Sequence, residues 1–402
     1  MRILVICNKA PYPPNDGSSI AIYNMVQGLK DNGAELKIFS LNTKKHFKPD
    51  NEVLEGFSED VKYLSCYLDT SPTFLGAFFN LFSNQSYFVS RFFDRNVEKQ
   101  LELILNENDF DIVQLEGVFM ASYLPLIRKS SKAKIVLRAH NIEYLIWDRH
   151  LKMSKSWIQK IYLGIQAKRL KKFEHEIFQS VDAIVPISDA DAKFISELSS
   201  SPIHTAITGV DFKKYPKGIS SNFNPFSIFH FGSMDWIPNQ EAVDWFLEKC
   251  WPSISTQVPE AQFVIAGRSI PKRFKLLANQ RIIVRENIPN ATDIYHQFNI
   301  MIVPVLSGSG MRIKIVEGMC FGKAIVSTRI GAEGIFVVHE ENILLHDNSV
   351  DFANAVITLL KNEKKRISLE ENAFVFARNN FDYMPISKKL IEFYKQLNQS
   401  TK

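Results

Sequence analysis

Short apolar runs rich in β-branched residues recur along the chain, separated by longer stretches with helical spacing of apolar positions. Runs that are apolar on both faces are typical of buried parallel strands, and their alternation with helices is typical of α/β folds. The pattern predicts an α/β protein with two doubly wound, Rossmann-like domains. The first set of predicted strands comprises Arg2–Cys7, Glu35–Ser40, Asp111–Leu115, Lys134–Arg138, Ala183–Ile187 and Ile203–Ile207. The second set comprises Ser227–Phe231, Gln262–Ala266, Arg281–Arg285, Ile300–Val305 and Ala324–Thr328.

A segment without apolar periodicity separates the two sets of strands. It covers Asp211–Pro225 and mixes Lys, Pro, Ser and Asn, a composition typical of linkers. The length of 402 residues agrees with two domains of about 100–200 residues each. We therefore predict a first domain over 1–210, a linker over 211–225 and a second domain that begins at 226.

Composition and charge exclude several classes of protein. Apolar residues make up 46% and charged residues 23% of the chain, which argues against disorder. The net charge of +5 is mild, and no nucleic-acid partner is expected without a concentrated basic face. No apolar stretch reaches the roughly 18 residues of a membrane span. Since the four cysteines are widely scattered, free thiols in a reducing compartment are expected, and we predict a cytoplasmic location.

The loop after the strand predicted at Ile300–Val305 carries the clearest chemical signal. Gly308 and Gly310 allow close backbone approach to an anion, and the helix predicted after this loop carries Arg312 and Lys314, which add positive charge. Glu317, one turn further on, can accept hydrogen bonds from sugar hydroxyls. The Gly-Lys-Ser/Thr of a P-loop and the third glycine of a dinucleotide fingerprint are both missing. The combination predicts a nucleotide diphosphate site.

Two further loops follow predicted strands and contain glycine. One ends in Gly17 and Ser18 before a helical pattern, so either it faces a ligand or it is an ordinary loop with a Ser cap. The other carries Gly232 and Ser233. Because open α/β sheets bind ligands at the carboxyl ends of their strands, this loop is expected to flank the same crevice as the Gly308 loop.

Together these segments resemble the family 4 glycosyltransferases of the GT-B fold over essentially the whole chain. The strongest match is Gly308–Glu317, followed by Gly322 and Ser327-Thr328. The other matching segments are the Pro-rich Asp16-Gly17 loop, Arg138–Glu143, Val185–Asp189, Gly209–Asp211, Gly232–Met234 and Gly331–Gly334.

The resemblance implies the GT-B architecture, in which two domains face each other across a cleft. The domain over 1–210 would bind the acceptor, the domain over 226–375 would bind the nucleotide sugar, and a helix over 376–402 would return to the first domain. The implied reaction moves a hexosyl group from a nucleotide diphosphate sugar to a glycan or lipid-linked acceptor, with retention of configuration. It needs no metal or other cofactor, and it would serve cell-surface polysaccharide or glycolipid synthesis.

The resemblance also assigns roles to residues of this chain. Arg312 and Lys314 would stabilise the departing diphosphate, and His140 would position hydroxyl groups beside the reacting sugar. Glu116 and Asn141 are candidate acceptor contacts, although a solvated carboxylate is the alternative for Glu116. The donor-binding set is Gly17, Gly232, Ser233, Gly308, Ser309, Gly310, Met311 and Glu317, with Glu317 on the ribose. Many family members carry a glutamate at the position of Ser309, so the identity of the sugar stays open.

Two Asp-x-Asp strings could indicate a metal-dependent sugar transferase of another fold. Asp109–Asp111 precedes its predicted strand and so lies at the end of the sheet away from the expected ligands. Asp189–Asp191 follows Ser188 in a Ser-x-x-Asp pattern that resembles a capping box. Both strings are interpreted as structural, and no Mg²⁺ or Mn²⁺ requirement is predicted.

Two segments of the first domain could contact a membrane. Arg149–Lys172 contains eight Lys or Arg residues and no acidic residue, interleaved with apolar residues, and Thr73–Phe93 contains seven phenylalanines. An anionic bilayer is one interpretation of the basic stretch, and a helix packed on its own domain is the favoured one. Core packing is likewise the default for the phenylalanines. If these segments do bind a membrane, the protein would lie at its inner face, which is the alternative to a location free in the cytoplasm.

Two alternatives to a glycosyltransferase remain open at the level of sequence. One is a nucleotide-sugar epimerase or hydrolase of the same fold, which needs a water-activating group near the anomeric carbon. The other is a catalytically silent sugar-nucleotide-binding protein, against which the complete set of His140, Arg312, Lys314 and Glu317 argues.

Overall fold

The computed structural model describes residues 1–14, 16–153, 156–214, 224–288, 291–308 and 311–399. These residues form two units. The first unit contains Met1–Gly209 and the final helix of the chain, and the second contains Val210–Asp382.

The described residues of the first unit form a parallel sheet with the strand order β3-β2-β1-β4-β5-β6. Its strands are β1 (Arg2–Cys7), β2 (Glu35–Thr43), β3 (Lys62–Leu68), β4 (Ile112–Glu116), β5 (Lys134–Ala139) and β6 (Ala183–Pro186). The central strand β1 is buried on both faces from Ile3 to Cys7, which is why its sequence is continuously apolar. Because all strands run in one direction, their carboxyl ends meet at one edge of the sheet.

Helices cover both faces of this sheet and bury its apolar side chains in two clusters. They are α1 (Gly17–Asp31), α2 (Asp50–Leu54), α3 (Phe74–Asn80), α4 (Tyr87–Ser90), α5 (Arg95–Glu107), α6 (Leu124–Ser130), α7 (Glu143–Met153), α8 (Trp157–Ser180) and α9 (Asp189–Ser196). No helix in the described part of the chain is long and apolar enough to cross a bilayer.

The second unit has a parallel sheet of its own, with the strand order β12-β11-β10-β7-β8-β9 among the described residues. Its strands are β7 (Ser227–Ser233), β8 (Gln262–Arg268), β9 (Ile282–Glu286), β10 (Ile300–Val303), β11 (Ala324–Ser327) and β12 (Leu344–Leu345). Its helices are α10 (Ile237–Trp245), α11 (Trp251–Gln257), α12 (Lys272–Lys275), α13 (Ala291–Gln297), α14 (Ile313–Cys320), α15 (Ser349–Lys361) and α16 (Glu363–Phe381).

The last helix, α17 (Tyr383–Gln399), packs on the first unit. Its Ser387 fills the space beside Gly28 of α1, where a Cβ atom would lie 2.8 Å from the Ser387 Cβ. The phenol of Tyr383 donates to Asp31 at 2.5 Å, and Tyr394 is fully buried. Residues 376–381, which the prediction placed in the returning helix, are the end of α16 in the second unit.

The strand predictions failed in three places. Ile203–Ile207 was predicted as a strand, but it contributes an isolated bridge between Ile203 and Ile184. The strand β3 was missed because, at the sheet edge, its burial alternates and its sequence contains exposed polar positions. The strand β12 was missed because two residues are too short to show a period.

Candidate functional site

The second unit places its candidate site residues where β7 and β10 end. Lys314 lies in the first turn of α14, and its ammonium group donates to Oδ1 of Asn239 at 2.8 Å. The amide nitrogen of Asn239 in turn donates to the carbonyl of Ser233 at 2.7 Å. A Cβ atom at Gly232 would lie 2.7 Å from the Lys314 ammonium. A side chain at 232 would therefore displace the Lys314 ammonium and the Asn239 amide from their present positions.

The charge of Lys314 is poorly stabilised in this environment. Burial, with a smaller contribution from the charge of Arg312, lowers the pKa of Lys314 to about 7. The partner amide of Asn239 is neutral and cannot compensate the charge. The lysine is thus poised to become fully charged when an anion binds beside it.

Arg312 immediately precedes α14, although the sequence placed it inside the helix. Its guanidinium lies 5.0 Å from the ring centre of Trp236, which is within the range of a cation–π interaction. Gly308 has φ +100°, and a Cβ atom there would lie 2.7 Å from the Trp236 ring. The loop thus needs glycine for its backbone conformation and for contact with the indole. Arg312 is buried, and burial lowers its pKa.

Glu317 lies one turn into α14, as predicted. The phenol of Tyr295 lies 3.3 Å from Oε2 of Glu317 and 3.4 Å from the carbonyl of Lys314. The ring of Tyr295 stacks on Phe321 at 4.7 Å, which fixes the position of the phenol. The carboxylate is partly exposed and oriented by a neutral donor, an arrangement that leaves acceptor capacity for a hydroxyl group.

A buried histidine lies close to this cluster. Nδ1 of His230 lies 3.1 Å from the carbonyl oxygen of Ile302, so this ring nitrogen carries the proton. Burial and the charge of Lys314 lower the pKa of His230 well below its usual value. The histidine is therefore neutral and adds no charge to the site.

The remaining donor-binding predictions have separate outcomes. Ser233 ends β7, and its hydroxyl donates to Asp235 at 3.2 Å. Met311 is partly buried and lies just before α14. Ser309 and Gly310 lie outside the described residues.

The first unit places His140 at the carboxyl end of β5, beside a buried ion pair. Glu116 and Arg138 are fully buried, with Oε2 of Glu116 3.2 Å from the guanidinium. Nε2 of His140 lies 2.6 Å from the same oxygen. Burial alone would raise the pKa of Glu116, but the Arg138 charge and the His140 hydrogen bond hold it below its usual value. Since Glu116 is ionised, Nε2 donates to it, and Nδ1 is the unprotonated nitrogen.

This cluster extends to the final helix. The phenol of Tyr394 donates to Oε1 of Gln114 at 2.6 Å, and the amide of Gln114 donates to Oε1 of Glu116 at 2.5 Å. Both carboxylate oxygens of Glu116 are therefore occupied. The predicted contact of Glu116 with an acceptor has no route in this conformation, because the carboxylate is fully buried and holds His140 instead.

The loop before α1 carries a stronger cap than predicted. The carboxylate of Asp16, not a serine, accepts from the backbone nitrogens of Ser18 at 3.1 Å and Ser19 at 3.0 Å. It also accepts from Lys9 at 2.6 Å. Gly17 is exposed, and a Cβ atom there would meet no other group. Asn141, the other predicted acceptor contact, is exposed beyond the end of β5.

Several members of these clusters could not be assigned a role from the sequence. Trp236 precedes α10 and Asn239 lies in its first turn, close in sequence to Gly232, but their partners come from a distant loop and helix. Arg138 and Gln114 lie within otherwise apolar strands. Because polar side chains are rarely buried, their presence in these strands could itself have indicated a polar cluster. The role of Tyr394 could not be detected because its partner lies 280 positions away in the sequence.

Both Asp-x-Asp strings have structural roles. The last carboxylate of Asp109–Asp111 accepts from the backbone nitrogen of Arg2 at 2.6 Å. Ser188 caps α9 by accepting from the nitrogen of Asp191 at 3.1 Å, with both acidic residues in the first turn. In the described part of the chain, no group of three His, Cys, Asp or Glu side chains could hold a metal ion.

Comparisons with known proteins agree with this arrangement. A family model described as Glycosyltransferase Family 4 matches residues 15–214, and one described as Glycosyl transferases group 1 matches residues 225–362. The chain is 24% identical over 390 residues to an uncharacterized 44.6 kDa protein in the cps region of Klebsiella pneumoniae. That match covers 95% of this chain and 96% of the Klebsiella protein.

Solved structures share the fold. Sucrose-phosphate synthase from Thermosynechococcus elongatus aligns over 100% of both chains, with a TM-score of 0.73 and 14% identity. HepE of Anabaena, solved in complex with UDP-glucose, aligns over 98% of this chain and 100% of its own, with a TM-score of 0.66 and 13% identity. The predicted GT-B fold class is confirmed by these matches and by the two parallel sheets. Because the two family models together match most of the chain, the protein belongs to the family 4 glycosyltransferases.

Proposed function

We propose that this glycosyltransferase moves a hexosyl group from a nucleotide diphosphate sugar to a glycan or lipid-linked acceptor, with retention of configuration and without a bound metal. The observation that carries the proposal is the pair of cations at the start of α14. Desolvation, with a smaller contribution from the charge of Arg312, lowers the pKa of Lys314 to about 7. Two adjacent cations in a low-dielectric site are costly unless an anion joins them.

A departing diphosphate is the anion that fits this chemistry. As the bond between the anomeric carbon and the phosphate oxygen breaks, its electron pair stays on the oxygen and the sugar becomes cation-like. Arg312 and Lys314 would stabilise the charge that develops on that oxygen, and Gly308 keeps the loop free of a side chain. With two cations to stabilise the leaving group, the proposed reaction needs no metal. Both Asp-x-Asp strings are already engaged in structural hydrogen bonds or capping.

Glu317 is the proposed contact to the ribose of the donor. The nucleotide sugar itself should be identified by thermal stabilisation with a panel of UDP, GDP and ADP sugars, since a ligand at 100 times its Kd adds about 2.7 kcal/mol. The UDP-glucose bound in the HepE structure makes uridine donors the first to test. Glu317→Ala should weaken donor binding about tenfold, because one hydrogen bond to a charged group is lost. Stabilisation by no member of the panel would refute the proposal.

The acceptor is proposed to be a precursor of a cell-surface polysaccharide or glycolipid. The relative in the cps region of Klebsiella pneumoniae supports a role in polysaccharide synthesis. Product analysis with purified acceptors should show sugar transfer that continues in the presence of a chelator. Complete loss of turnover in chelator, with recovery on addition of Mg²⁺ or Mn²⁺, would contradict metal independence.

We further propose that the first unit contacts an anionic membrane through α3 and the first half of α8. Core packing was the default for the phenylalanine-rich segment, but its side chains are largely exposed. The exposed residues in and just after α3 are Phe74 at 86%, Leu75 at 66%, Phe78 at 48%, Phe79 at 66% and Phe82 at 80%. On α8, Trp157, Ile158 and Ile161 are also exposed, although Leu163 and Leu170 pack in the core.

The two apolar segments are held together by hydrogen bonds. Gln166 of α8 donates to Asn80 of α3 at 2.9 Å, and Arg169 donates to the carbonyl of Leu81 at 2.9 Å. The basic residues of α8 would complement anionic lipid headgroups while the aromatic side chains enter the bilayer boundary.

Flotation with phosphatidylglycerol vesicles tests the membrane contact. The wild type should float, and the double variant Phe79→Asp, Phe82→Asp should not, since each Phe contributes about 1.5–3 kcal/mol on burial. Leu103→Asp is a matched control, because Leu103 is 61% exposed on α5. Equal flotation of all three proteins would exclude the assigned surface.

A further inference from the structure

A second cluster of cations lines a cavity in the first unit that the donor site does not use. The cavity has a volume of about 480 Å³. Its polar lining includes Lys9, Thr43, Lys45, His46, Thr70 and Arg91. Lys9 follows β1, Thr43 ends β2 and Thr70 follows β3, so the cavity lies at the carboxyl edge of the sheet. This is the edge at which open α/β sheets bind ligands.

The lining carries positive charge that the described residues only partly compensate. The guanidinium of Arg91 donates to backbone carbonyls, at 2.7 Å to Thr70 and 3.3 Å to Tyr87, and these contacts leave its charge in place. Lys45 is exposed and makes no ion pair with another described residue. Lys9 is paired with Asp16, which is not part of the lining. Lysine, arginine and hydroxyl side chains around one cavity are the groups that bind phosphate or carboxylate.

The cavity lies next to the His140 cluster. Asn8, which also lines the cavity, has its amide nitrogen 3.9 Å from the Cβ position of Gly117, the residue after Glu116. The pKa of His140 is lowered mainly by burial, and the charge of Lys9 contributes in the same direction. If one end of a molecule is held in the cavity, the adjacent part of that molecule would therefore lie close to His140.

We propose that this cavity binds the anionic group of the acceptor, either a phosphate on a lipid-linked precursor or the carboxylate of an acidic sugar. This inference rests on the proposed function, because it names the chemistry of the acceptor for the same reaction. The exposed α3 starts just after the lining residue Pro72, so an acceptor phosphate in the cavity would have apolar surface for a lipid tail beside it.

Binding of inorganic phosphate, glucuronate and neutral glucose to the full-length protein tests the proposal. The measurements use calorimetry in the background Arg312→Gln, Lys314→Gln, so that the donor cluster does not contribute. At least one of the two anions should bind while glucose does not, and binding should weaken as salt is added. Preference for phosphate would assign a phosphorylated acceptor, and preference for glucuronate an acidic sugar.

Variants of two adjacent lysines give a matched comparison. Lys45→Glu should weaken anion binding by about tenfold or more, because a contact to a charged group becomes repulsive. Lys44→Glu should bind as the background does, since Lys44 lies outside the lining and pairs with Asp69 at 3.0 Å. Both lysines are exposed, so both variants should fold. Arg91→Gln provides a second lining variant.

The outcomes separate this inference from the proposed function. Equal anion binding in Lys45→Glu, Arg91→Gln and the background would overturn the anion site, as would an equal loss in Lys44→Glu. Donor binding is measured separately, with the nucleotide-sugar panel on Lys45→Glu alone, and should match the wild type. If no nucleotide sugar binds the wild type, the proposed function fails. Anion binding by the Lys45 and Arg91 variants still decides whether the cavity is an anion site.

Discussion

The cluster around His140 in the first unit and the cluster around Lys314 in the second both lie where strands of a parallel sheet end. They differ in how the charge of the cation is balanced. In the first unit, the buried guanidinium of Arg138 lies 3.2 Å from the carboxylate of Glu116, which also orients His140. In the second unit, the ammonium of Lys314 contacts a neutral amide 2.8 Å away and is repelled by Arg312. In the first cluster the cation contacts a carboxylate directly, whereas in the second burial and Arg312 outweigh the charge of Glu317 and lower the pKa of Lys314.

We propose that the two clusters therefore contribute differently to catalysis. A compensated network fixes the orientation and tautomer of His140 before any substrate arrives. Arg312 and Lys314 would bind a diphosphate and stabilise it further as its charge grows. Changing either cluster should therefore have different consequences for stability and for turnover.

The largest effect is expected on stability, from Glu116→Gln. The substitution leaves the buried Arg138 without its counter-charge, which should lower the free energy of unfolding by about 3–5 kcal/mol. Urea unfolding measures this loss. Glu176→Gln is the control, because the Lys172–Glu176 pair is exposed at 78% and 61% and should contribute at most about 1 kcal/mol. A similar loss in both variants would show that burial of the pair does not matter.

The next effect is on turnover, from Lys314→Ala. We expect kcat to fall about 10²–10³-fold while acceptor KM changes little, because the lysine acts mainly on the leaving group. The variant should also be at least as stable as the wild type, since a partly buried cation whose pKa is lowered by desolvation is removed. Lys323→Met serves as a control, since Lys323 is a buried lysine of the second unit whose pKa is also lowered by burial, to about 8. Near-normal kcat in Lys314→Ala would refute its assigned role.

The smallest expected effect is the uptake of a proton when the donor binds. Because burial and Arg312 lower the pKa of Lys314 to about 7, the lysine is mostly neutral at higher pH. A bound diphosphate raises this pKa again, so nucleotide binding well above pH 7 should take up about one proton. Affinity should therefore decrease as the pH rises through this pKa. Calorimetry in buffers of different ionisation enthalpy measures the uptake, which Lys314→Ala should abolish.

The phenylalanine-rich segment shows where a pattern was informative but its default interpretation was wrong. Seven phenylalanines in a short stretch were best explained by core packing, since large apolar side chains are usually buried. In the structure Phe88 is buried, whereas Phe74 and Phe82 are 86% and 80% exposed. The sequence could not separate the two environments because α3 is too short to show a periodic buried face.

The amino-acid sequence by itself determined the local features of this protein. Continuous apolar runs specified most strands of both sheets, and the order Gly308, Arg312, Lys314, Glu317 specified the cationic loop. These features depend on neighbouring residues, so they could be recognised in the linear sequence. They also carried the resemblance to the family that the comparisons confirmed.

The tertiary structure alone decided which distant groups meet. It placed Asn239 against Lys314, Trp236 against Arg312, and Tyr394 of the last helix against Gln114. It also buried Glu116 beneath His140, so that a predicted acceptor contact became the residue that orients the histidine. The physical reason is that hydrogen bonds, burial and pKa shifts depend on distances across the sheet edge, and side chains far apart in sequence set those distances.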